Sequence, residues 1–174
     1  MINNVSRHFM LCVVVFGLLT ALATGCITTG KTHGENGEMQ GSASTSFPEK
    51  LVIQLERTAC FGNCPVYSLI INGDGTVVYE GKDFVRTKGI SQATISMAAI
   101  YQILAKFDEA EYFSLKDSYT GFGKSDMPHA NTSISMGNRT KSIKHYMGDQ
   151  SAPKKLTELE NKIDEIVNSA QWIK

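Results

Sequence analysis

No excess of charge marks this sequence. Lysine and arginine total 17, aspartate and glutamate total 17, and the formal net charge is +0. Nothing draws the chain as a whole to a nucleic-acid backbone or an anionic membrane surface. Cysteine is sparse, at 4 residues. No internal repeat is visible, and no apolar run comfortably reaches the about 20 residues of a membrane-spanning helix. No complete set of catalytic side chains stands at a recognisable spacing. The chain therefore does not read as an enzyme, and no catalytic residue, metal set or cofactor is assigned. A hydrophobic content of 42% with 20% charged residues is ordinary for a globular protein.

What is present begins at the amino terminus. Residues Met1 to His8 carry Arg7 as a fixed positive charge, and Phe9 to Ala23 is apolar, interrupted by little except Cys12, Gly17 and Thr20. That length and those flanks suit a secretory signal peptide. The segment ends in Ala23-Thr24-Gly25-Cys26, which resembles the lipobox of bacterial lipoproteins. The resemblance implies removal of residues 1–25 as a signal peptide, a diacylglyceryl thioether on Cys26, and acylation of the new amino terminus, with palmitate as the expected chain. At about 0.8 kcal/mol per buried CH₂, several such chains would hold the protein on a membrane almost permanently. Ile27, standing where an inner-membrane retention signal would place Asp, leans towards the outer membrane and its periplasmic face. The alternatives are an uncleaved anchor and an ordinary cleaved signal.

Composition then divides the mature chain. After the lipidated Cys26, the stretch to Ser46 is built from Gly, Thr, Ser, Asn and Glu and reads as a flexible tether. Residues 47–174 suffice for one domain with one core.

Within that domain, Leu51 to Glu56 and Val66 to Ile71 read as strands, and Asn72-Gly73-Asp74-Gly75 turns the second into a third at Thr76 to Glu80. Phe84 to Arg86 and Ile90 to Ile95 are further extended segments. Ile100, Ile103, Leu104 and Phe107 then recur at helical spacing behind Ser96, a good N-cap. Asp117 to Ala130 lacks periodicity and reads as a long loop. Thr132 to Met136 and Thr140 to Tyr146 form a second hairpin about Gly137-Asn138. Ser151 caps a last helix with Pro153 in its first turn and an apolar stripe of Leu156, Leu159, Ile163, Ile166 and Val167. Glu158 and Lys162 pair on its wet side, and Trp172 and Ile173 fold back on the core. Two one-faced helices and hairpin-linked strands predict an α+β two-layer sandwich, with an antiparallel sheet of about five or six strands and two helices on one face.

Chemistry concentrates in Cys60-Phe61-Gly62-Asn63-Cys64-Pro65. Cys12 leaves with the signal and Cys26 takes the lipid, which leaves one pair in an oxidising compartment. A structural disulfide is the expected outcome, and closing so short a loop removes about 2 kcal/mol of unfolded-state entropy. The alternative is a metal or thiol-redox protein acting through Cys60 and Cys64. Two thiols at this spacing before proline resemble the metal loop of Sco-type copper chaperones, and soft sulfur suits Cu(I), with His129 or His145 as a further ligand. The βαβ pattern of those thioredoxin-like proteins is absent. The loop carrying Asp117, Asp126 and His129 is a weaker candidate site, because long loops on rigid scaffolds bind things. His145, within an alternating strand, reads as a packed or hydrogen-bonded residue.

The segment Cys-Phe-Gly-Asn-Cys-Pro-Val-Tyr, with Gly73-Asp74-Gly75 and Val78-Tyr79-Glu80-Gly81 behind it, resembles a bacterial domain family of unknown function that often follows a lipoprotein signal. The similarity extends through Phe107 to Leu115, Lys144-His145-Tyr146 and Ala152-Pro153 to Trp172-Ile173. It implies a single domain over Leu51 to Ile173 and brings no activity, cofactor or catalytic residue. The functional expectation is a membrane-anchored envelope lipoprotein, a non-enzymatic binding or structural module with an envelope protein as its possible partner and no nucleic acid.

Overall fold

Alternation drives the sheet. In the computed structural model, Leu51–Arg57 (β1) buries Leu51, Ile53, Leu55 and Arg57 and turns Val52, Gln54 and Glu56 the other way. Val66–Asn72 (β2) and Thr76–Asp83 (β3) repeat the pattern, burying Tyr67, Leu69 and Ile71, then Val77 and Tyr79. Strand geometry sends successive side chains to opposite faces, so one face of the sheet becomes the core and the other stays wet. Gly89–Thr94 (β4), Ser118–Tyr119 (β5), His129–Met136 (β6) and Arg139–Tyr146 (β7) complete it. The structure describes residues 50–121 and 123–174. The predicted signal peptide, the predicted lipidation site Cys26 and the predicted tether lie outside them.

Seven strands run in the order β4-β3-β2-β1-β6-β7-β5. All neighbours are antiparallel except β5 and β7, which are parallel. The sheet is thus larger than the expected five or six strands, and mixed. The additional strand comes from Ser118 and Tyr119, inside the stretch read as a loop. Two residues are too few to show a period, and their pairing is made by the distant Lys144 and His145. Phe84 to Arg86 forms no strand. It is the bend between β3 and β4, where Phe84 takes φ 49 and the Arg86 and Thr87 N–H groups donate to the carbonyls of Ile173 and Trp172.

The first hairpin turn follows its chemistry. The Gly75 N–H donates to Asn72 O at 3.0 Å, and Asp74 Oδ1 accepts the Thr76 N–H at 2.8 Å. Gly75 sits at φ 88, and a Cβ there would strike the Ile95 carbonyl, so glycine is required on both counts.

Helix Met97–Glu109 (α1) is capped by Ser96, whose Oγ accepts the Ala99 N–H at 3.2 Å. Its buried residues are Ile100, Ile103 and Phe107. A short 3₁₀ turn at Tyr112–Ser114 buries Tyr112 beneath it. Helix Lys154–Val167 (α2) starts one residue after Pro153, which holds the N-cap position without a side-chain bond. Ser151 therefore does not cap it. The Ser151 N–H is instead a donor to Asp149 Oδ1 at 2.8 Å. Lys162 pairs with Glu165 at 2.6 Å rather than with Glu158. A third helix, Ala170–Ile173 (α3), returns Trp172 to stack on Tyr79 with ring centroids 4.7 Å apart. The helices α1 and α2 pack against each other over the buried face. No helix among the described residues is long and apolar enough to cross a membrane.

Candidate functional site

The register gathers four chain segments at one end of the sheet. Arg57, the last residue of β1, pairs with Tyr67 near the start of β2 and with Ala130 near the start of β6. His129 pairs with Tyr146, the last residue of β7. The cysteine loop between β1 and β2 and the loop between β5 and β6 therefore emerge side by side.

Cys60 and Cys64 are joined as a disulfide, with their Cα atoms 5.7 Å apart. The loop it closes is stitched to the neighbouring one. Thr58 N–H donates to His129 O at 3.1 Å, His129 N–H donates to Thr58 Oγ1 at 2.8 Å, and Phe61 N–H donates to Asp126 O at 3.2 Å. Tyr146 fastens the second loop from below. Its hydroxyl donates to Lys124 O at 2.8 Å and accepts the Met127 N–H at 3.3 Å, while its ring lies 5.1 Å from that of His129. On this braced end Phe61 projects 88% exposed, with Met127 also exposed beside the Asp126 that Phe61 bonds. Burying such a ring only on contact with a partner is favourable by about 1.5–3 kcal/mol, and a few well-buried anchor residues carry most of the energy at many interfaces.

The candidate residues from the sequence separate into three groups. His129 and Asp126 join the cysteine loop. Asp117 does not: it stands just before β5 and alongside β7, where its exposed carboxylate pairs with Lys141 at 2.7 Å. His145 is in the interior. Its Nδ1 is 2.9 and 3.0 Å from the two carboxylate oxygens of Glu160, and both side chains are essentially inaccessible, at 2% and 0%. Burial pushes the Glu160 carboxyl up, with the bond to His145 opposing it. No group of three or more His, Cys, Asp or Glu positioned to hold a metal occurs among the described residues.

Sequence reading missed the polar cluster under α2. Arg57 Nε and Nη2 donate to Asp164 Oδ2 at 3.1 and 2.9 Å, and Nη2 also donates to Asn161 Oδ1 at 3.1 Å. Tyr67 OH donates to Asp164 Oδ1 at 2.7 Å. Burial works against the Arg57 charge, but Asp164, Tyr67 and Glu160 outweigh it and hold the guanidinium above its ordinary value. Burial and Asp164 push the Tyr67 phenol up. The signal was available: Arg57 occupies the inward phase set by Leu51, Ile53 and Leu55, and Glu160 stands on the Leu156–Leu159–Ile163 stripe. A charge at a core position demands a buried partner.

Asp149 was also missed. Its Oδ2 accepts the Gly121 N–H at 2.7 Å and its Oδ1 accepts the Ser151 N–H, and these bonds hold its carboxyl below the usual range. It thereby ties the β5–β6 loop to the entry of α2. The loop crosses at Gly123, where a Cβ would collide with the Gly148 carbonyl.

These features define a class, an α+β domain whose one-faced mixed sheet carries a disulfide-braced loop at one end. Its sequence places it further. A family model described as a domain of unknown function, DUF6438, matches residues 51–167, and the chain belongs to that family. No curated protein matches the sequence.

Proposed function

We propose that this protein is a lipid-anchored component of the bacterial cell envelope, held through Cys26 on the periplasmic face of the outer membrane, and that its folded domain binds another envelope protein rather than transforming a substrate. The observation that carries the binding reading is the Phe61 tip, a large apolar ring held in solvent by a disulfide and by the Asp126 carbonyl. Ordering a loop before binding removes part of the entropy that association would otherwise cost. The polar groups with perturbed titration are consumed elsewhere. Arg57 and Tyr67 are bonded to Asp164 beneath α2, and Glu160 is bonded to His145. A disulfide also accords with an oxidising compartment.

Photocrosslinking from position 61 in intact cells tests this. An envelope protein trapped at 61, and released when Phe61→Ser is introduced into a chain crosslinked from 127, supports the reading. A chain that crosslinks to nothing from either position contradicts it.

A second reading rests on His129, the histidine that the fold brings to the cysteine loop. With Cys60 and Cys64 reduced, it would supply a nitrogen ligand to Cu(I), a soft ion suited to two thiolates. Thiol titration of the purified protein separates the two. Cysteines that resist mild reductant favour the structural disulfide, and reduced cysteines that take up one Cu(I) favour the metal.

A further inference from the structure

The two edges of the sheet are unlike. β5 is two residues long, whereas β4 offers six. Natural edges are blunted by charge, proline, bulges or brevity. Gly89-Ile-Ser-Gln-Ala-Thr94 contains no charge and no proline, and its pairing with β3 runs without a shift of register.

The phase of β4 follows from one bond. Ile95 N–H donates to Gly75 O at 2.9 Å. Inward- and outward-bonding residues alternate in an antiparallel ladder. Ala93, Ser91 and Gly89 thus bond to β3, and Ile90, Gln92 and Thr94 turn their N–H and C=O groups away from the sheet. Among the described residues β3 is the only strand beside β4. Ile90 is 72% exposed on the open face.

We infer that β4 pairs antiparallel with β4 of a second copy through Ile90, Gln92 and Thr94, merging the two sheets into one. The three outward-bonding positions are symmetric about Gln92. A two-fold axis there sets outward groups against outward groups with no slip. Each copy's Ile90 then meets the other's Thr94, an aliphatic chain against a methyl. Lys88 falls opposite Ser96, so no like charges meet. The opposite edge cannot serve as the partner, because two residues give too short a ladder. Such a two-fold contact closes on itself, leaving two short β5 edges. β4 shares no residue with the Phe61 tip.

Density-matched sedimentation of the full chain in detergent tests the pairing. Gln92→Pro deletes an outward N–H and no bond to β3, and Ile90→Lys places charge at the contact. The wild type is expected to sediment as a dimer, with both variants weakening association at least tenfold while their circular dichroism is unchanged. If one variant fails to fold, the other carries the test. A wild type that stays monomeric at hundreds of micromolar, a dimer indifferent to the folded variants, or a monomer that captures a foreign extended strand on β4 would each overturn self-pairing.

Discussion

His145 on β7 and Glu160 on α2 form a fully buried pair, with Nδ1 2.9 Å from the nearer carboxylate oxygen. This contact is one of the polar ties between α2 and the sheet, beside those of Arg57 and Tyr67 to Asp164. Removing one partner strands the other in the core, which costs about 3 kcal/mol, whereas an apolar replacement of both avoids the orphan. His145→Leu and Glu160→Leu are each expected to lower stability by about that amount. The double variant should lose less than the sum, with a coupling of roughly 1–3 kcal/mol in denaturant titrations. Strict additivity would show that the pair is not an energetic unit.

The same pair has a pH signature. Folding raises the Glu160 carboxyl above its ordinary 4.5. The folded state then holds a proton that the unfolded state has released, so stability falls as pH rises through that window. Arg57, Asp164 and His145 face the carboxyl. Wild type should therefore lose stability relative to Glu160→Gln as pH climbs from about 4.5, measured by thermal unfolding of both proteins.

How much of this was legible depends on what each element needed to form. The first hairpin was readable because Asn72-Gly73-Asp74-Gly75 encodes its turn locally, and Ser96 and the Ile100–Phe107 spacing encode α1. The strand at Ser118 and Tyr119 was not, since both of its partners lie on β7. Ser151 looked like a cap, but Asp149 takes its N–H and Pro153 holds the cap position. At the candidate site both the cysteine loop and the loop carrying Asp126 and His129 were visible, but their adjacency was not. The meeting of Phe61 with Asp126 depends on β1 pairing with β6, a long-range register that no local pattern announces.

Asp149 gives the opposite pH dependence to Glu160. Its carboxyl is held low by the Gly121 and Ser151 N–H groups. The stability it lends is complete above the ordinary carboxylate range and is lost as pH falls through the depressed value. Amide-exchange protection factors at Gly121 and Ser151, each taken relative to the intrinsic rate at the same pH, should fall on acidification in the wild type and be low at every pH in Asp149→Ala. Equal protection in the two proteins at neutral pH would contradict the clamp.

The Arg57 cluster is expected to resist conservative change. Asp164→Leu leaves a buried guanidinium and the Tyr67 hydroxyl without their acceptor, at a cost of about 3 kcal/mol. Tyr67→Phe deletes one hydrogen bond while keeping the ring, at a cost of about 1 kcal/mol. Chemical denaturation ranks the two, and the reverse order would mean that the ion pair contributes little.

Breaking the Cys60–Cys64 link in a Cys60→Ala/Cys64→Ala variant should cost about 2 kcal/mol by releasing the closed loop in the unfolded chain. Phe61 should lose its fixed position at the same time. Calorimetry gives the first effect and fluorescence anisotropy of a probe placed at 61 gives the second.

The mass of the amino-terminal peptide from protein extracted from bacterial membranes bears most directly on the anchored-module reading. A peptide that begins at Cys26 and carries a diacylglyceryl group and an N-acyl chain is the predicted result. A peptide that begins at Met1, unmodified, from protein recovered in the cytoplasmic fraction would contradict it.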